Sequence, residues 1–341
     1  MPGGVKTAEP KISRRSDKLR VGVIGAGVMG SNHARVFRDL PGVSLVGIAD
    51  PLEAHRQRAI NLIGCRTFAN VDQLLAESID AVTIAAPTHL HHEMALDCIA
   101  RGIHVLVEKP IASTVEEGNA IVTAAKRKGV TLMVGHVERF NPAVATIKAA
   151  IQGEDILSIA ITRVGPFPPR MSNVGVVIDL AVHDIDLIRW FTESDIVEVQ
   201  PQLSNAVAER EDIALLQFRT ASGVLAHINT NWLTPFKARN VTVATRGKYI
   251  MGDLLTRQVT ECFGFQPDGS YSMRHLSVGY DEPLRSELVA FIDAVRSGQQ
   301  PVVTGEQGVA SLEIAIQCLV KATRPEREKV KGALRVAGRS A

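Results

Sequence analysis

A glycine-rich loop near the start of the chain has the residue types and spacing of a phosphate-binding turn. The apolar run Arg20–Ile24 leads directly into Gly25-Ala26-Gly27-Val28-Met29-Gly30, and a helical pattern begins there. The first glycine permits a tight turn, the second lets backbone approach a pyrophosphate, and the third lets helix and strand pack closely. The amino end of the helix favours the phosphate charge. The pattern therefore predicts a dinucleotide site formed by Gly25, Gly27, Val28, Met29 and Gly30.

An acidic residue stands at the distance expected for the ribose of such a dinucleotide. Asp50 follows the second predicted strand, Leu45–Ala49, twenty residues after Gly30. A carboxylate at this position accepts hydrogen bonds from the adenine ribose hydroxyls. It also repels a 2′-phosphate, which favours NAD over NADP, although Arg56 and Arg58 are near enough in sequence to weaken that preference. We therefore expect NAD as the cofactor.

The elements that position this loop alternate between strand and helix. After the first two strands, the runs Ala81–Ala85, His104–Val107 and Thr131–Val134 are each separated by a helical pattern. Strict alternation predicts βαβ units, which form a parallel sheet with helices on both faces. We expect a doubly wound α/β Rossmann domain over residues 19–138.

Three short patterns mark the starts of helices. Ser113-Thr114-Val115-Glu116 has the form of a capping box, and so does Thr304 with Gln307 three residues later. Asn141 stands before Pro142, which places a capping residue ahead of proline at the first helical position. We expect helices to begin at these three points.

The pattern changes after about residue 138. Helical patterns from Pro142 and over Ile178–Phe191 are followed by strand-like runs joined by turn residues such as Ala221-Ser222-Gly223. This succession predicts antiparallel meanders and, with two closing helices, an α+β domain with a large open sheet over residues 139–323. Residues 1–18 are predicted to be a disordered arm and residues 324–341 a basic tail. The strand-like runs are Ile196–Val207, Ile213–Arg219, Val224–Thr230, Asn240–Thr245 and Val259–Phe263.

The composition is that of an ordinary globular protein. A net charge of +2 and an aromatic content of 4% give no basic, aromatic surface of the kind that binds nucleic acid. No apolar run is long enough to cross a bilayer, and the polar amino end predicts no secretory signal. The four cysteines have no metal-binding spacing, and His89, His91 and His92 have no acid or cysteine at zinc-like spacing. We expect a cytoplasmic location without membrane or metal.

Further segments resemble the Gfo/Idh/MocA family of oxidoreductases. They are Ala85–His91, Gly102–Pro110 and Gly175–His183, and the similarity extends over about residues 19–323. The most specific of these signals is Glu108-Lys109-Pro110 at the end of a predicted strand. The resemblance implies further cofactor contacts at Ala86, Pro87, His91, Glu108 and Lys109.

By the same resemblance, Lys109 and His183 flank the reacting carbon and form the catalytic pair. A secondary alcohol gives up a hydride only as its hydroxyl proton is removed, and a base placed there raises the rate by about 10²–10⁴-fold. Asp179 and His183 are four residues apart on a predicted helix and so share one face, where Asp179 would orient the substrate or His183. The structural alternatives are a surface lysine and a histidine satisfied by Asp179 or Asp186.

The segments around Arg139 and Asp179 resemble the sugar-nucleotide branch of the family. The resemblance implies that the 3-hydroxyl of UDP-N-acetylglucosamine is oxidised to a ketone, on the way to a diamino sugar. A nucleotide diphosphate needs cationic partners. Predicted substrate contacts are Arg139 and Asn141 at the domain junction, Arg163, Arg170 and Lys237 in predicted loops, and Asp179 and His183 on the helix.

Two other functions stay open at this point. The substrate could be a free sugar, an inositol or a 1,5-anhydro sugar, or the chain could be an NAD-binding regulator without catalysis. The presence of Lys109, Asp179 and His183 argues against a regulator, because a sensor needs no base at a reacting carbon. The open sheet leaves one face to be covered, which predicts a homodimer or homotetramer.

Overall fold

The computed structural model describes residues 18–168 and 174–322, and these form two compact units. One unit comprises the described residues up to Ala85, and the other begins at Ala86. The predicted arm (except Lys18), Arg170 and the predicted basic tail lie outside the described residues. The domain boundary expected near residue 138 stays a prediction.

The first unit is built on parallel strands in the order β3-β2-β1-β4. Its central strand β1 is buried on both faces, as expected for a parallel strand covered by helices. The predicted alternation of strand and helix is therefore confirmed here. The elements are β1 Leu19–Ile24, α1 Val28–Asp39, β2 Val43–Ala49, α2 Glu53–Ile63, β3 Thr67–Phe68, α3 Val71–Leu75 and β4 Ala81–Ile84.

The second unit begins with another alternation of helices and parallel strands, in which β5 pairs with β6. The cap predicted at Asn141 is confirmed, since its side chain accepts a hydrogen bond from Ala143 N. The capping box at Ser113 is displaced by one residue, because Thr114 Oγ1 accepts from Glu117 N. The elements are α4 His91–Ala100, β5 His104–Glu108, α5 Val115–Lys128, β6 Leu132–Gly135 and α6 Pro142–Ala150.

An eight-stranded sheet follows, in the order β14-β13-β12-β11-β7-β10-β9-β8. Neighbouring strands are antiparallel except for the parallel pair β7 and β10. The predicted open sheet is confirmed, although strands β7, β12 and β14 were not predicted from the sequence. The strands are β7 Ile156–Pro166, β8 Ile196–Ser204, β9 Ile213–Thr220, β10 Leu225–Asn231, β11 Leu233–Thr245, β12 Lys248–Asp253, β13 Gln258–Phe263 and β14 Ser272–Leu276.

Three helices accompany this sheet, and the last of them packs closely on β6 and α5. They are α7 Val182–Thr192, α8 Pro283–Ser297 and α9 Gly305–Ala322. A Cβ on Gly308 would lie 2.6 Å from Val134 Cγ2, so only glycine allows α9 to approach this closely. The box at the start of α9 is confirmed, because Thr304 Oγ1 accepts from Gln307 N and Thr304 N donates to Gln307 Oε1. This packing explains why β5, α5 and β6 belong to the second compact unit.

Two bulk features can be compared with the structure. All four cysteines are free thiols. None of the helices formed by residues 18–168 and 174–322 combines the length and the apolar character that crossing a bilayer requires.

Candidate active site and cofactor loop

The loop between β1 and α1 has the geometry of a phosphate cradle. Gly25 has a φ of 97°, a conformation that favours glycine. A Cβ on Gly30 would lie 1.8 Å from the backbone oxygen of Gly25, so Gly30 is required by packing. A Cβ on Gly27 would meet nothing within 4 Å. No contact with a described residue demands glycine at position 27, which leaves space for a bound group to approach the backbone.

The amino end of α1 is left open for an anion. The N-cap residue, Gly27, has no side chain to accept hydrogen bonds from the helix, and the first turn carries no acidic residue. The N–H groups at the start of a helix have no partner within the helix and attract negative charge. Val28 and Met29 are 56% and 37% exposed at this end. The first turn of α1 therefore fits the pyrophosphate of a dinucleotide.

Asp50 is connected to this loop directly. Its Oδ2 accepts from Ala26 N at 2.7 Å and lies 3.2 Å from His55 Nδ1, and its Oδ1 accepts from Leu52 N at 2.8 Å. The carboxylate thus fixes Ala26, the second residue of the loop, a role that was not predicted from the sequence. Arg56 donates to the backbone oxygens of Asp50 and Pro51, so its guanidinium is already engaged.

Lys109 follows β5, and its amine is held by Asp179. Lys109 Nζ donates to the backbone oxygen of Asp179 at 2.8 Å and to Asp179 Oδ1 at 3.3 Å. The two side chains are 16% and 24% exposed, so the ion pair is largely shielded from water. The predicted structural alternative of a surface lysine is therefore wrong.

Asp179 lies in a π-helical turn, Val177–Ala181, which leads into α7. The sequence predicted one regular helix with Asp179 and His183 on a common face. A π turn widens the spacing to i→i+5, and such turns are frequent at functional sites. Asp179 consequently binds Lys109, and no hydrogen bond joins it to His183.

His183 is the second residue of α7 and is half-buried. Its Nδ1 is inaccessible and has no hydrogen-bond partner among the described residues. Its ring meets the ring of His136 edge to face, with centroids 6.1 Å apart. Burial, together with the positive charge of Lys109, holds the pKa of His183 well below its usual value. The imidazole is therefore neutral at physiological pH and able to bind a polar substrate group.

Arg163 lies on strand β7 and is buried, which corrects its predicted place in a loop. Its Nε and one terminal nitrogen donate to Asp184 on α7, and the other terminal nitrogen donates to Glu138 Oε1 at 2.7 Å. Burial opposes the charge, but Asp184 and Glu138 together raise the pKa of Arg163. All of its nitrogens are occupied and it is 3% exposed, so in this structure it cannot contact a substrate phosphate.

Arg139 and Asn141 are also turned inward, although we expected them to contact the substrate. Arg139 makes two 2.7 Å hydrogen bonds to the carboxylate of Asp186 on α7. Asn141 Nδ2 donates to Glu138 Oε2 and to the backbone oxygen of Leu254. Both residues are more than nine-tenths buried, and they fix α7 and α6 in place. Their predicted contact with a substrate stays a prediction.

His91 is buried, and its ring connects two backbone segments. It is 1% exposed, and its ring nitrogens lie 3.0 Å from the backbone oxygen of Pro110 and 2.8 Å from that of Ala86. Burial lowers the pKa of His91. The ring of His91 therefore ties the segment of Ala86 and Pro87 to the residues after Lys109, and its predicted contact with the cofactor stays a prediction. Glu108 is buried next to Gly135.

Two cations on β11 complete the surroundings. Lys237 is exposed on this strand, and not in the predicted loop. Arg239 was not predicted as a site residue, because the sequence placed the start of this strand at Asn240, whereas β11 begins at Leu233. Its terminal nitrogen donates to Glu138 Oε1 at 2.9 Å, and its side chain is 36% exposed.

Comparisons with known proteins agree with this fold. Residues 19–136 match the oxidoreductase family described by an NAD-binding Rossmann fold, and residues 157–250 match the Gfo/Idh/MocA C-terminal domain. A UDP-N-acetylglucosamine 3-dehydrogenase from Acidithiobacillus ferrooxidans is 28% identical over 306 residues, 89% of this chain and 96% of the relative. A solved structure of that enzyme superimposes with a TM-score of 0.84, covering 89% of this chain and 97% of the other.

A second relative has a different substrate in its name. An inositol 2-dehydrogenase from Rubrobacter xylanophilus is 30% identical over 335 residues, 93% of this chain and 94% of the relative. The predicted fold class, a Rossmann domain followed by an α+β domain with an open sheet, is confirmed, and so is NAD as the cofactor. The chain belongs to the Gfo/Idh/MocA family of NAD-binding oxidoreductases.

Proposed function

We propose that this protein oxidises a secondary hydroxyl of a sugar to a ketone, and that the sugar is the N-acetylglucosamine of UDP-N-acetylglucosamine, oxidised at its 3-hydroxyl. When bound, NAD accepts the hydride from the carbon that carries this hydroxyl. A single observation carries the chemistry: the amine of Lys109, the residue that follows β5, is held in place by Asp179.

In this proposal the amine of Lys109 first releases a proton to solvent and then, in its neutral form, accepts the hydroxyl proton at Nζ. The carboxylate and backbone oxygen of Asp179 hold the amine in one position and stabilise its charge once the proton has arrived. His183 is neutral because of its burial and the nearby cations, so its ring hydrogen-bonds to the substrate without adding a charge. The cofactor side of the proposal rests on the glycine loop and on Asp50, which we propose to accept the ribose hydroxyls.

The choice of substrate rests on similarity and on charge. The relative from Acidithiobacillus ferrooxidans acts on a UDP-sugar by its name, and the exposed cations of β11 suit a diphosphate. The relative from Rubrobacter xylanophilus supports a second candidate, oxidation of an inositol, which carries no charge. A regulator without catalysis is disfavoured by the presence of Lys109, Asp179 and His183 in one structural unit.

Turnover separates these candidates. NADH formation is measured with UDP-N-acetylglucosamine, then with myo-inositol, glucose and a 1,5-anhydro sugar, at equal concentrations. The proposal predicts a kcat/KM for the UDP-sugar that is at least about 10²-fold above that for any neutral polyol, as expected when a site's charged groups need the anion. A higher value for myo-inositol would replace the first candidate by the second. Tight NAD binding without turnover of any of these compounds would favour the regulator.

We also propose that the chain works as a homodimer or homotetramer. The outer face of the eight-stranded sheet carries exposed apolar side chains that alternate with core residues along the strands. They include Leu215, Leu225, Tyr249 and Met251. Exposed apolar side chains of this kind are often covered by a partner. Light scattering after gel filtration tests this, and a monomer at micromolar concentration would contradict it.

A further inference from the structure

The face of the sheet that packs on α7 carries a row of positive charges. Arg163 on β7 stands directly opposite Arg239 on the antiparallel strand β11. Side chains of directly paired residues project from the same face of a sheet. Since Arg163 contacts Asp184 of α7, Arg239 lies on the face of the sheet that carries this helix.

The two guanidinium groups differ in how much of their binding capacity is used. Arg163 uses every nitrogen and is 3% exposed. Arg239 has five N–H donors in principle, yet among residues 18–168 and 174–322 only Glu138 accepts from it. Glu138 Oε1 is itself shared, because it also accepts from Arg163. Arg239 is therefore fixed on one side and open on the other.

Lys237 extends this row towards the end of the strand. It precedes Arg239 by two residues, and a Cβ on Gly165 would lie 3.4 Å from Lys237 Cγ. Gly165 is two residues from Arg163 on β7, so it shares the Arg163 face. Lys237 consequently lies over the same face as Arg239. No described residue forms an ion pair with it, and it is exposed.

The row is close to the candidate catalytic residues. Asp184, which binds Arg163, directly follows His183 in α7. Arg239 also contributes to the low pKa of His183, after burial and the charges of Lys109, Arg163 and His136. Burial and Arg163 lower the pKa of Arg239 itself, whereas Glu138, Asp184 and Asp179 raise it. An anion bound at the open side of the guanidinium would act in the same direction as these carboxylates.

We propose that Arg239 and Lys237 bind the phosphoryl oxygens of the substrate, and that Glu138 positions the Arg239 guanidinium for this contact. The inference rests on the proposed function, because it assumes that the substrate is a nucleoside-diphosphate sugar. It replaces Arg163, which is fully engaged, by Arg239 as the arginine that distinguishes charged from neutral substrates. A planar guanidinium binds two phosphate oxygens at once, which a lysine does not reproduce.

The test compares Arg239→Gln, Arg239→Lys and Lys237→Gln with a matched control, Arg274→Gln. Arg274 is likewise an arginine paired with a buried glutamate, Glu261, but it is exposed and lies on β14, the edge strand of the sheet. We expect Arg239→Gln to raise the KM for UDP-N-acetylglucosamine by roughly 10- to 100-fold, with kcat and the KM for NAD changed less than threefold. Lys237→Gln should have a smaller effect, and the control should change none of these constants by more than about twofold.

Two further measurements identify the cause of such a change. Raising the salt concentration from about 50 to about 500 mM should raise the KM of the wild type by a larger factor than that of Arg239→Gln. Salt screens the attraction between Arg239 and the phosphoryl oxygens, which the variant no longer has. Any turnover of myo-inositol should be unaffected by the substitution. An equal loss with myo-inositol would overturn the inference, because it would indicate general damage. If Arg239→Gln does not fold, Arg239→Lys supplies the test, since it keeps the charge but loses the two-oxygen contact and should still raise the KM severalfold.

Binding of UDP and of inorganic pyrophosphate to the NAD-loaded protein, measured by calorimetry, separates this inference from the proposed function. If UDP-N-acetylglucosamine is not oxidised but UDP binds to the wild type and binds at least about 10-fold more weakly to Arg239→Gln, the proposed reaction fails and the anion site stands. If the sugar nucleotide is oxidised and Arg239→Gln leaves both its KM and the Kd of UDP unchanged, the reaction stands and the anion site is refuted. Failure of the wild type to bind UDP or pyrophosphate would also refute it.

Discussion

The buried ion pair between Asp184 and Arg163 gives the sharpest test of how α7 is held in place. Asp184 is 0% exposed, and its carboxylate accepts three hydrogen bonds of 2.7 to 3.0 Å from Arg163. In Asp184→Asn the guanidinium keeps only Glu138 as an anionic partner, and the amide nitrogen faces a cation. Removing one member of a buried pair costs about 3–5 kcal/mol, because an uncompensated charge stays behind.

For a unit of this size, each kcal/mol corresponds to about 2–4 °C in the melting temperature, so Asp184→Asn should lower Tm by roughly 6–20 °C. Differential scanning fluorimetry measures this. Asp195→Asn is the control, because Asp195 is 78% exposed in its pair with Arg189, and such pairs contribute about 1 kcal/mol or less. Below its Tm, Asp184→Asn should also lose kcat, since its neighbour His183 shares the loosened first turn of α7. A change in Tm no larger than that of the control would refute the idea that this pair anchors α7.

Three further predictions concern the cofactor loop and the buried histidines. Gly30→Ala should abolish measurable NAD binding in calorimetry, because its Cβ would clash with the Gly25 oxygen at 1.8 Å, whereas normal affinity would contradict the cradle. Asp50→Ala should weaken NAD binding and relax the rejection of NADP, because it removes both the ribose acceptor and the bond to Ala26 N; unchanged selectivity in a comparison of the two KM values would refute the assignment. Burial lowers the pKa values of His91, His136 and His183. Below about pH 6.5 the unfolded chain therefore binds protons that the folded chain does not. The free energy of unfolding should decrease as the pH is lowered, by up to ~1.4 kcal/mol per pH unit for each histidine. Urea denaturation between pH 7.5 and 5.5 measures this slope, and a flat or opposite dependence would contradict it.

The local features of the fold were predictable where a single residue type has one structural meaning. Gly25 and Gly30 were read correctly because a positive φ and a close backbone approach leave few alternatives to glycine. The cap at Asn141 was equally predictable, because proline at the next position restricts the chain to a helix start. Strand β7 was missed because its polar residues interrupt the apolar run. One of them, Arg163, belongs to the core only through partners distant in sequence.

The candidate site shows the same limit. Lys109 was located by its motif, but its partner was not, because the π turn that brings Asp179 to the amine leaves no period in the sequence. Arg139, Arg163 and Arg239 look alike as isolated cations. Only the shared carboxylate of Glu138 and the pair with Asp186 reveal which of them face the core and which stays open. Long-range charge compensation therefore decides the role of an arginine here, and a single sequence does not contain it.

The most direct measurement is the rate of NADH formation from NAD and UDP-N-acetylglucosamine by the wild type and by Lys109→Ala, together with the Kd of NAD for both. We expect turnover by the wild type, a kcat at least about 10²-fold lower in Lys109→Ala, and NAD affinities within a few-fold of each other. An unchanged kcat in Lys109→Ala would contradict the proposed role of Lys109, because the amine held by Asp179 would then have no part in removing the proton.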